Sequence, residues 1–433
     1  MNPIRVIVKS FGCSANQADG EVLAGCLQDA GLTLADNFQS ADVIIYNCCA
    51  VKGPTENRML AILKQAPKSK KVIVAGCLPL INFNRLNREV QIDGVVGPAF
   101  GNSIVNVVRR VYLGEKIVAL ENALAAKPKL SLPHKQRNPM ISVVPVNYGC
   151  LGSCAYCCVL FARGKLRSYP VAEVKERFKA DLASGTREFW VTSQDTACYG
   201  IDIGTNLAGL LKEVCALAGG FRVRVGMMTP NHVSDMLVDL IAAYDNNKVF
   251  KFLHLPVQSG DDEVLRRMRR FYNVARFREI IKAFRIVFPT ITLATDVICG
   301  FPGEDEEAFE HTLGLVKELE PDVVNSSKFF ARPGTVAASL SDGLVERAEI
   351  KRRSVQMASL AKRVALERNQ RWVDWTGEIL VDEKGKVPGS WIGRNFAYKP
   401  IVVKSNSRLL GKRLQVTVVE AFQTHLAGEI IKP

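Results

Sequence analysis

Three cysteines, Cys150, Cys154 and Cys157, stand in the run NYGCLGSCAYCCVLFARGKLRSY with three and then two residues between them. Thiols at such spacing are metal ligands by type, and their number narrows the metal. A structural zinc site closes with four ligands, usually two cysteine pairs or a cysteine pair and a histidine pair. No histidine lies near this run. An iron-sulfur cluster held by three cysteines leaves one iron open, and an open iron is a place for a cofactor. Two other readings stay open: a fourth ligand from elsewhere completes a zinc site, or three buried cysteines share a spacing by chance.

Four more cysteines close short apolar runs or follow them. Cys13 follows RVIVKSF, Cys48 and Cys49 follow DVIIYN, and Cys77 follows KVIVAG. Between these runs lie the helical patterns EVLAGCLQDAG and PTENRMLAILKQA, and the pair DGVVG and NSIVNVVRRVYL continues the rhythm. Such alternation predicts βαβ units and a parallel sheet over residues 1–115. Its thiols fall just beyond strand carboxyl ends, the edge of an open α/β sheet where ligands collect. Cysteines far apart in sequence but at equivalent strand ends can converge on one point. Cys26, inside the first helical pattern, is what an ordinary core cysteine looks like.

Residues 116–139, with LAAKPKLSLPHKQRNP, lack periodicity and read as a linker. From 140 to 371 strand-like runs such as REFWVTSQD, RVRVGMM, VFKFLHLPVQ and ITLATDVICGFP alternate with helical stretches, which suits a barrel or partial barrel with its chemistry at the strand carboxyl ends. Gln194 and Asp195, Gln258 and Ser259, and Gly300 to Gly303 close those strands. A milder reading makes the first four helix caps and the glycine run a turn. Arg163 and Lys165 either neutralise a cofactor carboxylate or lie on the surface. The segment 343–371 predicts a long helix with Ile350, Met357, Leu360 and Val364 on its packed face. Arg352, Arg353, Lys362, Arg363 and Arg368 are expected on the opposite face, solvated or against phosphate. Residues 372–433 change to short β patterns broken by glycine and proline, a small closed barrel of the oligonucleotide-binding sort. There Trp391, Arg394, Phe396, Tyr398 and Lys399 interleave aromatics with cations, a mix suited to stacking bases and meeting phosphates. Core packing would account for some of the aromatics.

With 433 residues, 48% of them hydrophobic, and a mean hydropathy of +0.06, the chain has room for several ordinary cores. No apolar run approaches the ~18 residues that span a bilayer. The opening MNPIRVIVKSFGC enters a strand pattern at once and reads as lacking a secretory signal. The expectation is a cytoplasmic protein without a membrane partner, whose twelve cysteines serve metal or catalysis over disulfides. A net charge of +14 points to a polyanion. Residues 343–433 hold 17 Lys and Arg against 9 Asp and Glu, so nucleic acid is the expected partner of the carboxyl end.

The cysteine run with Tyr156 before its last thiol resembles the signature of radical S-adenosylmethionine enzymes. The runs SFGCSANQADGE, YNCCAVKGPTENRM and VAGCLP resemble the three cysteine motifs in the amino-terminal domain of methylthiotransferases. The resemblance implies a [4Fe-4S] cluster on Cys150, Cys154 and Cys157 that splits S-adenosylmethionine to a 5'-deoxyadenosyl radical. It implies a second [4Fe-4S] cluster on Cys13, Cys49 and Cys77 that presents sulfur, with Cys48 standing where the family usually has Thr. Also implied are a six-unit partial barrel and a carboxyl-terminal TRAM domain. Tyr156, Gln194, Asp195, Gln258, Ser259, Gly300 and Pro302 would lie around the cofactor, and Trp391, Arg394, Tyr398 and Lys399 would meet RNA. Sulfur insertion at an unactivated aromatic C–H bond is beyond acid-base side chains, so cofactors must carry it.

Finer detail in AVKGPTENRM, GCLGSCAYC and ARGKLRSYP resembles the archaeal and eukaryotic branch that converts N6-threonylcarbamoyladenosine at position 37 of tRNA to its 2-methylthio derivative. The chain departs from that branch at Cys158, Val159 and Leu160, where a polar stretch is more usual. The alternatives are a methylthiotransferase acting on isopentenyladenosine in tRNA or on a ribosomal protein aspartate, and, in a different class, a non-catalytic zinc and RNA-binding protein. Sulfur and electron donors are not identified by the sequence.

Overall fold

The computed structural model describes residues 3–49, 53–121, 124 and 127–431; Ala50, Val51 and Lys52, part of the motif after Cys49, lie outside the described residues. Strands β1 (Arg5–Phe11), β2 (Thr33–Leu34), β3 (Val43–Cys48), β4 (Lys71–Gly76), β5 (Gly94–Val96) and β6 (Ile117–Ala119) make one parallel sheet in the order β2-β1-β3-β4-β5-β6. The central strand reads VIIYNC and is buried throughout, as a parallel strand must be when crossover helices cover both faces. On one face Val6, Ile45 and Ile73 pack with Leu23, Val107 and Val108; on the other Ile44 and Val74 pack with Leu60, Leu63 and Leu86.

Strand β6 falls inside the expected linker. A three-residue edge strand is too short to show a period of two, and its pairing with β5 comes from the tertiary fold. The remainder of that segment is a strap. The Lys135 amide donates to the Glu21 carbonyl at 2.8 Å, the Arg137 amide to the Glu21 carboxylate at 3.1 Å, and Leu130 enters the core of the central domain. Gly25 permits the contact, since a Cβ there would stand 2.3 Å from the His134 backbone.

In the central domain follow β7 (Ile141–Pro145), β8 (Asn147–Tyr148), β9 (Arg167–Ser168), β10 (Glu188–Thr192), β11 (Arg222–Val225), β12 (Phe252–His254), β13 (Thr292–Cys299) and β14 (Val323–Lys328). Two parallel sheets, β7-β10-β11 and β12-β13-β14, are joined where the Val223 amide donates to Lys248 at 2.7 Å and the Phe250 amide to Val223 at 2.9 Å. Six parallel strands thus curve into an open barrel. Strands β8 and β9 pair antiparallel beside it and hold the loop of Cys150, Cys154 and Cys157 between them.

The long helix forms over Arg347–Gln370 and buries Met357, Leu360 and Val364 as its pattern predicts. Two of its expected outward cations belong to the packed face instead. Arg353 pairs with Glu304 at 2.9 Å and Arg368 with Asp322 at 3.3 Å, both buried. Sequence periodicity sorts charge outward by default, and a buried acid on a neighbouring element overrides it. Five strands, β15 (Thr376–Lys384), β16 (Ser390–Arg394), β17 (Pro400–Lys404), β18 (Arg413–Ala421) and β19 (Leu426–Ile430), close into a barrel ordered β15-β16-β17-β19-β18. Its core is Ile379, Val381, Ile401, Val403, Val416 and Val418.

Candidate cofactor site and its two cysteine sets

Gly149 starts the cysteine loop. Its φ of +74° and a Cβ position 2.0 Å from the Lys165 carbonyl admit only glycine, and its amide donates to Gln194 Oε1 at 2.9 Å. Gln194 thereby ties the loop to the end of β10. Each of the three sulfurs then receives one N–H: Cys150 from the Gly152 amide at 3.1 Å, Cys154 from Arg270 at 3.3 Å, and Cys157 from the Val159 amide at 3.5 Å. Donors aimed at all three sulfurs are what anionic thiolates on a cluster require, so this set fits an iron-sulfur group. Burial pushes the Cys157 thiol up, which a metal's own charge would have to overcome.

The three cysteines line a cavity of about 320 Å³ at the carboxyl ends of the barrel strands. Tyr156, Gln194, Asp195 and Gln258 line it too, four of the seven residues expected around a cofactor. Asp195 accepts from the amides of Ala197 and Thr229 at 3.1 and 2.9 Å, locking the end of β10 to the segment after β11. Gln258 takes a left-handed φ of 71° and donates its amide to Asp296 at 2.8 Å.

Ser259, Gly300 and Pro302 do not line the cavity. Ser259 accepts from the Asp261 amide at 3.2 Å, a local turn, while Asp261 itself caps the helix that follows. The Gly300 amide donates to Glu304 at 2.8 Å, with Ile350 of the long helix where a Cβ would lie, and the Pro302 carbonyl accepts from Arg267 at 3.0 Å. Only Phe301 of that run reaches toward the site, edge-on to Tyr156 at 6.3 Å.

Arg270 is the cavity residue that sequence reading missed. It is half-buried, donates to Cys154 Sγ and to Pro256 O, and its charge is held by Tyr272, Tyr156 and Cys154 against the cost of burial. The charge run LRRMRR gave a signal, but nothing in it distinguished the one inward arginine. His232, Asp296, Lys328 and Arg332 are also on the polar lining, as are Asn231, Arg269 and Ser327.

The second set sits where the sheet puts it. Strands β1, β3 and β4 are adjacent and in register, with Phe11 beside Cys48 and Cys48 beside Gly76. The residues just past these ends therefore stand together: the Cys49 amide donates to Phe11 and the Cys77 amide to Cys48, both at 2.9 Å. A Cβ on Gly12 would come within 2.6 Å of the Cys49 Cβ, so Cys13 and Cys49 neighbour each other. Cys48 is packed in the sheet core with its thiol toward the Tyr46 carbonyl at 3.3 Å. Cys26 is likewise a core thiol.

Among the described residues no three acidic, histidine or cysteine side chains converge on one ion-sized point. A cluster of four irons is a wider body than one ion, and one further observation bears on it. Arg163 is buried between the two domains. Its Nε donates to Cys77 Sγ at 3.4 Å, its Nη2 to Asp19 at 2.6 Å, and its Nη1 is buried without a partner. Tyr148 donates to the same Asp19. A buried cation with one donor on a cysteine sulfur and another idle beside it fits an anionic group on Cys13, Cys49 and Cys77.

One short helix, Val159–Arg163, separates the two sets. Cys158 and Ala162 are buried in the core of the amino-terminal domain, while Val159 and Leu160 line the cavity, which accounts for the apolar residues at these positions. Arg332 binds Glu56 of the amino-terminal domain, and Gly53 borders the cavity mouth.

The expected RNA residues are placed elsewhere. Lys399 is buried, with its Nζ 2.7 Å from both Asp322 and Asn369. Tyr398 packs on Phe250 and Phe252, and Arg394 lies over the Tyr398 ring and pairs with Asp382 at 3.2 Å. These three are spent on docking the small barrel against the central domain. Trp391 is half-buried against the small barrel's own core, with its indole N–H donated to Ser405 at 3.2 Å.

Comparison with known proteins bears on what the site belongs to. Family models match residues 5–97 (Uncharacterized protein family UPF0004), 144–316 (Radical SAM superfamily) and 376–431 (TRAM domain). A probable threonylcarbamoyladenosine tRNA methylthiotransferase of Pyrococcus abyssi is 39% identical over 99% of this chain and 100% of its own. The Homo sapiens threonylcarbamoyladenosine tRNA methylthiotransferase is 32% identical over 98% of this chain and 74% of its own. The chain belongs to the threonylcarbamoyladenosine tRNA methylthiotransferase family. Among solved structures, the radical S-adenosylmethionine methyltransferase TsrM from Kitasatospora setae matches 94% of this methylthiotransferase-family chain and 81% of its own, with a TM-score of 0.56 at 14% identity, a likeness of fold.

Proposed function

We propose that this enzyme converts N6-threonylcarbamoyladenosine at position 37 of tRNA to its 2-methylthio derivative. The observation that carries the reading is that one five-residue helix bears on both cysteine sets: it follows Cys157, lines the cavity of the first set with Val159 and Leu160, and carries Arg163, whose Nε reaches Cys77 of the second. Bound there, a [4Fe-4S] cluster with S-adenosylmethionine and a second cluster with sulfur would supply the radical and the methylthio group that an aromatic C–H bond requires.

The chain's own residues do the rest. Cys150, Cys154 and Cys157 hold the first cluster, and Cys13, Cys49 and Cys77 the second. Gln194 and Asp195 fix the loop and strand ends. Tyr156, Ile298 and Phe329 give the cavity an apolar wall that would keep water from a radical. For tRNA, the cations that remain exposed on the small barrel are the better candidates: Lys386, Lys404 and Lys412 have no ion pair among the described residues. Among these residues no helix is long and apolar enough to cross a membrane.

The test is anaerobic reconstitution with iron and sulfide, incubation with S-adenosylmethionine, reductant and tRNA, and mass spectrometry of the nucleosides. The expected result is 2-methylthio-N6-threonylcarbamoyladenosine together with 5'-deoxyadenosine. Formation of 5'-deoxyadenosine without that nucleoside moves the substrate. Absence of both in protein holding about eight irons, the content of two four-iron clusters, overturns the enzyme reading.

A further inference from the structure

We propose that Arg163 is the residue that sets the reduction potential of the second cluster, through a hydrogen bond to Cys77 and a positive charge fixed by Asp19. The inference rests on the reading that Cys13, Cys49 and Cys77 hold a cluster.

Three features of Arg163 go beyond an ordinary domain-interface ion pair. Its side chain is 2% exposed and that of Asp19 is wholly buried, so solvent cannot screen either charge. The guanidinium is used unequally: Nη2 is committed to Asp19 at 2.6 Å, Nε points at a cysteine sulfur at 3.4 Å, and Nη1 has no partner. Tyr148 donates to Asp19 and its ring lies 5.4 Å from the guanidinium carbon, so the arginine cannot swing away. What an ordinary interface pair such as Arg332–Glu56 lacks is the Nε donor aimed at a cysteine of the second set.

Potentials of iron-sulfur clusters follow net charge, hydrogen bonds to the sulfurs and exposure to solvent. A four-iron cluster on thiolates is an anion, and reduction adds a further negative charge. A donor on one ligand sulfur and a cation in the same dry space favour the reduced form, which raises the potential. The placement also explains why the arginine follows so soon after Cys157 of the other set: the helix Val159–Arg163 carries it across the domain boundary.

The experiment uses the full chain with Cys150, Cys154 and Cys157 all changed to Ala, so that only the second cluster remains. Iron content, then the midpoint potential by anaerobic redox titration with electron paramagnetic resonance, are compared for native Arg163, Arg163→Met, Arg163→Lys and Asp19→Asn. With native Arg163 about four irons per chain are expected. Arg163→Met should lower the reduced fraction at a fixed potential about tenfold, a shift of about 59 mV for one electron. Arg163→Lys should recover part of it, and Asp19→Asn, which frees the positive charge, should shift the potential the other way. Equal potentials in all loaded variants overturn the role of Arg163 while leaving the cluster in place. If Arg163→Met fails to fold or load, the Lys and Asn variants decide, since opposite or absent shifts there also overturn it. No iron in the parent triple variant removes the second cluster and this inference with it.

Discussion

At the level of single residues, the two cysteine sets separate by what they should do when broken. Cys154→Ala removes one sulfur of the first set and one partner of Arg270. It should abolish 5'-deoxyadenosine formation, read by chromatography. Cys77→Ala should spare that cleavage and block the methylthio product; undiminished product from this variant would remove the second set from the reaction. Arg270→Met leaves all six cysteines intact but takes away the donor on Cys154. Loss of such an outer partner typically costs 10–100-fold in activity or metal affinity, about the drop expected in the rate of 5'-deoxyadenosine formation. The first set was legible from its spacing and the second from its place after strand ends, both local properties of the chain. Arg270 was not, because it lies 116 residues from Cys154 and any arginine of its run could have been the inward one.

At the level of elements, glycine geometry and charge placement make further predictions. Gly149→Ala puts a methyl onto the Lys165 carbonyl at a left-handed φ. Such strain costs about 1–3 kcal/mol before the overlap is counted. The expected outcome is loss of the first cluster with the second kept, so iron falls by about half in a colorimetric assay. On the small barrel, Lys404→Glu and Lys412→Glu should weaken tRNA binding and reduce its salt slope by about one for each phosphate no longer neutralised. Filter binding across a salt series checks it, and an unchanged slope would move the RNA surface elsewhere. Strand alternation made the parallel sheet, the barrel and the small β-barrel readable in advance. The three-residue β6 and the strap over Gly25 were not, since both exist through contacts with distant backbone.

For the molecule as a whole, the docking of the small barrel carries a pH signature. Asp382 is buried at the junction facing Arg394 and Glu188 of β10, and burial first, then the Glu188 charge, push it up to about 9. Burial favours the protonated form of this acid in the folded chain, whereas in the unfolded one it ionises near pH ~4. Folding therefore binds a proton across that window, and stability falls as pH rises from about 4 to about 9. Asp382→Asn keeps an acceptor for Arg394 and removes the ionisation. Thermal melts between about pH 6 and 9 should show a shallower decline in the variant than in the native chain, and parallel curves would overturn the assignment.

The sequence by itself determined the three-part order of folds and the two sets of thiols at strand ends, because periodicity and ligand spacing are local properties of a chain. It also carried the family, through motifs along nearly its whole length. Tertiary structure decided which charges face in. Arg270, Arg353, Arg394 and Lys399 look like surface cations when read along the chain, and Arg163 like a surface cation or the partner of a cofactor carboxylate. Each is drawn inside by a partner on another element: a cysteine sulfur, a buried carboxylate or an aromatic ring. A buried charge is tolerated only where such a partner waits, and the partner's position is a fact of the fold.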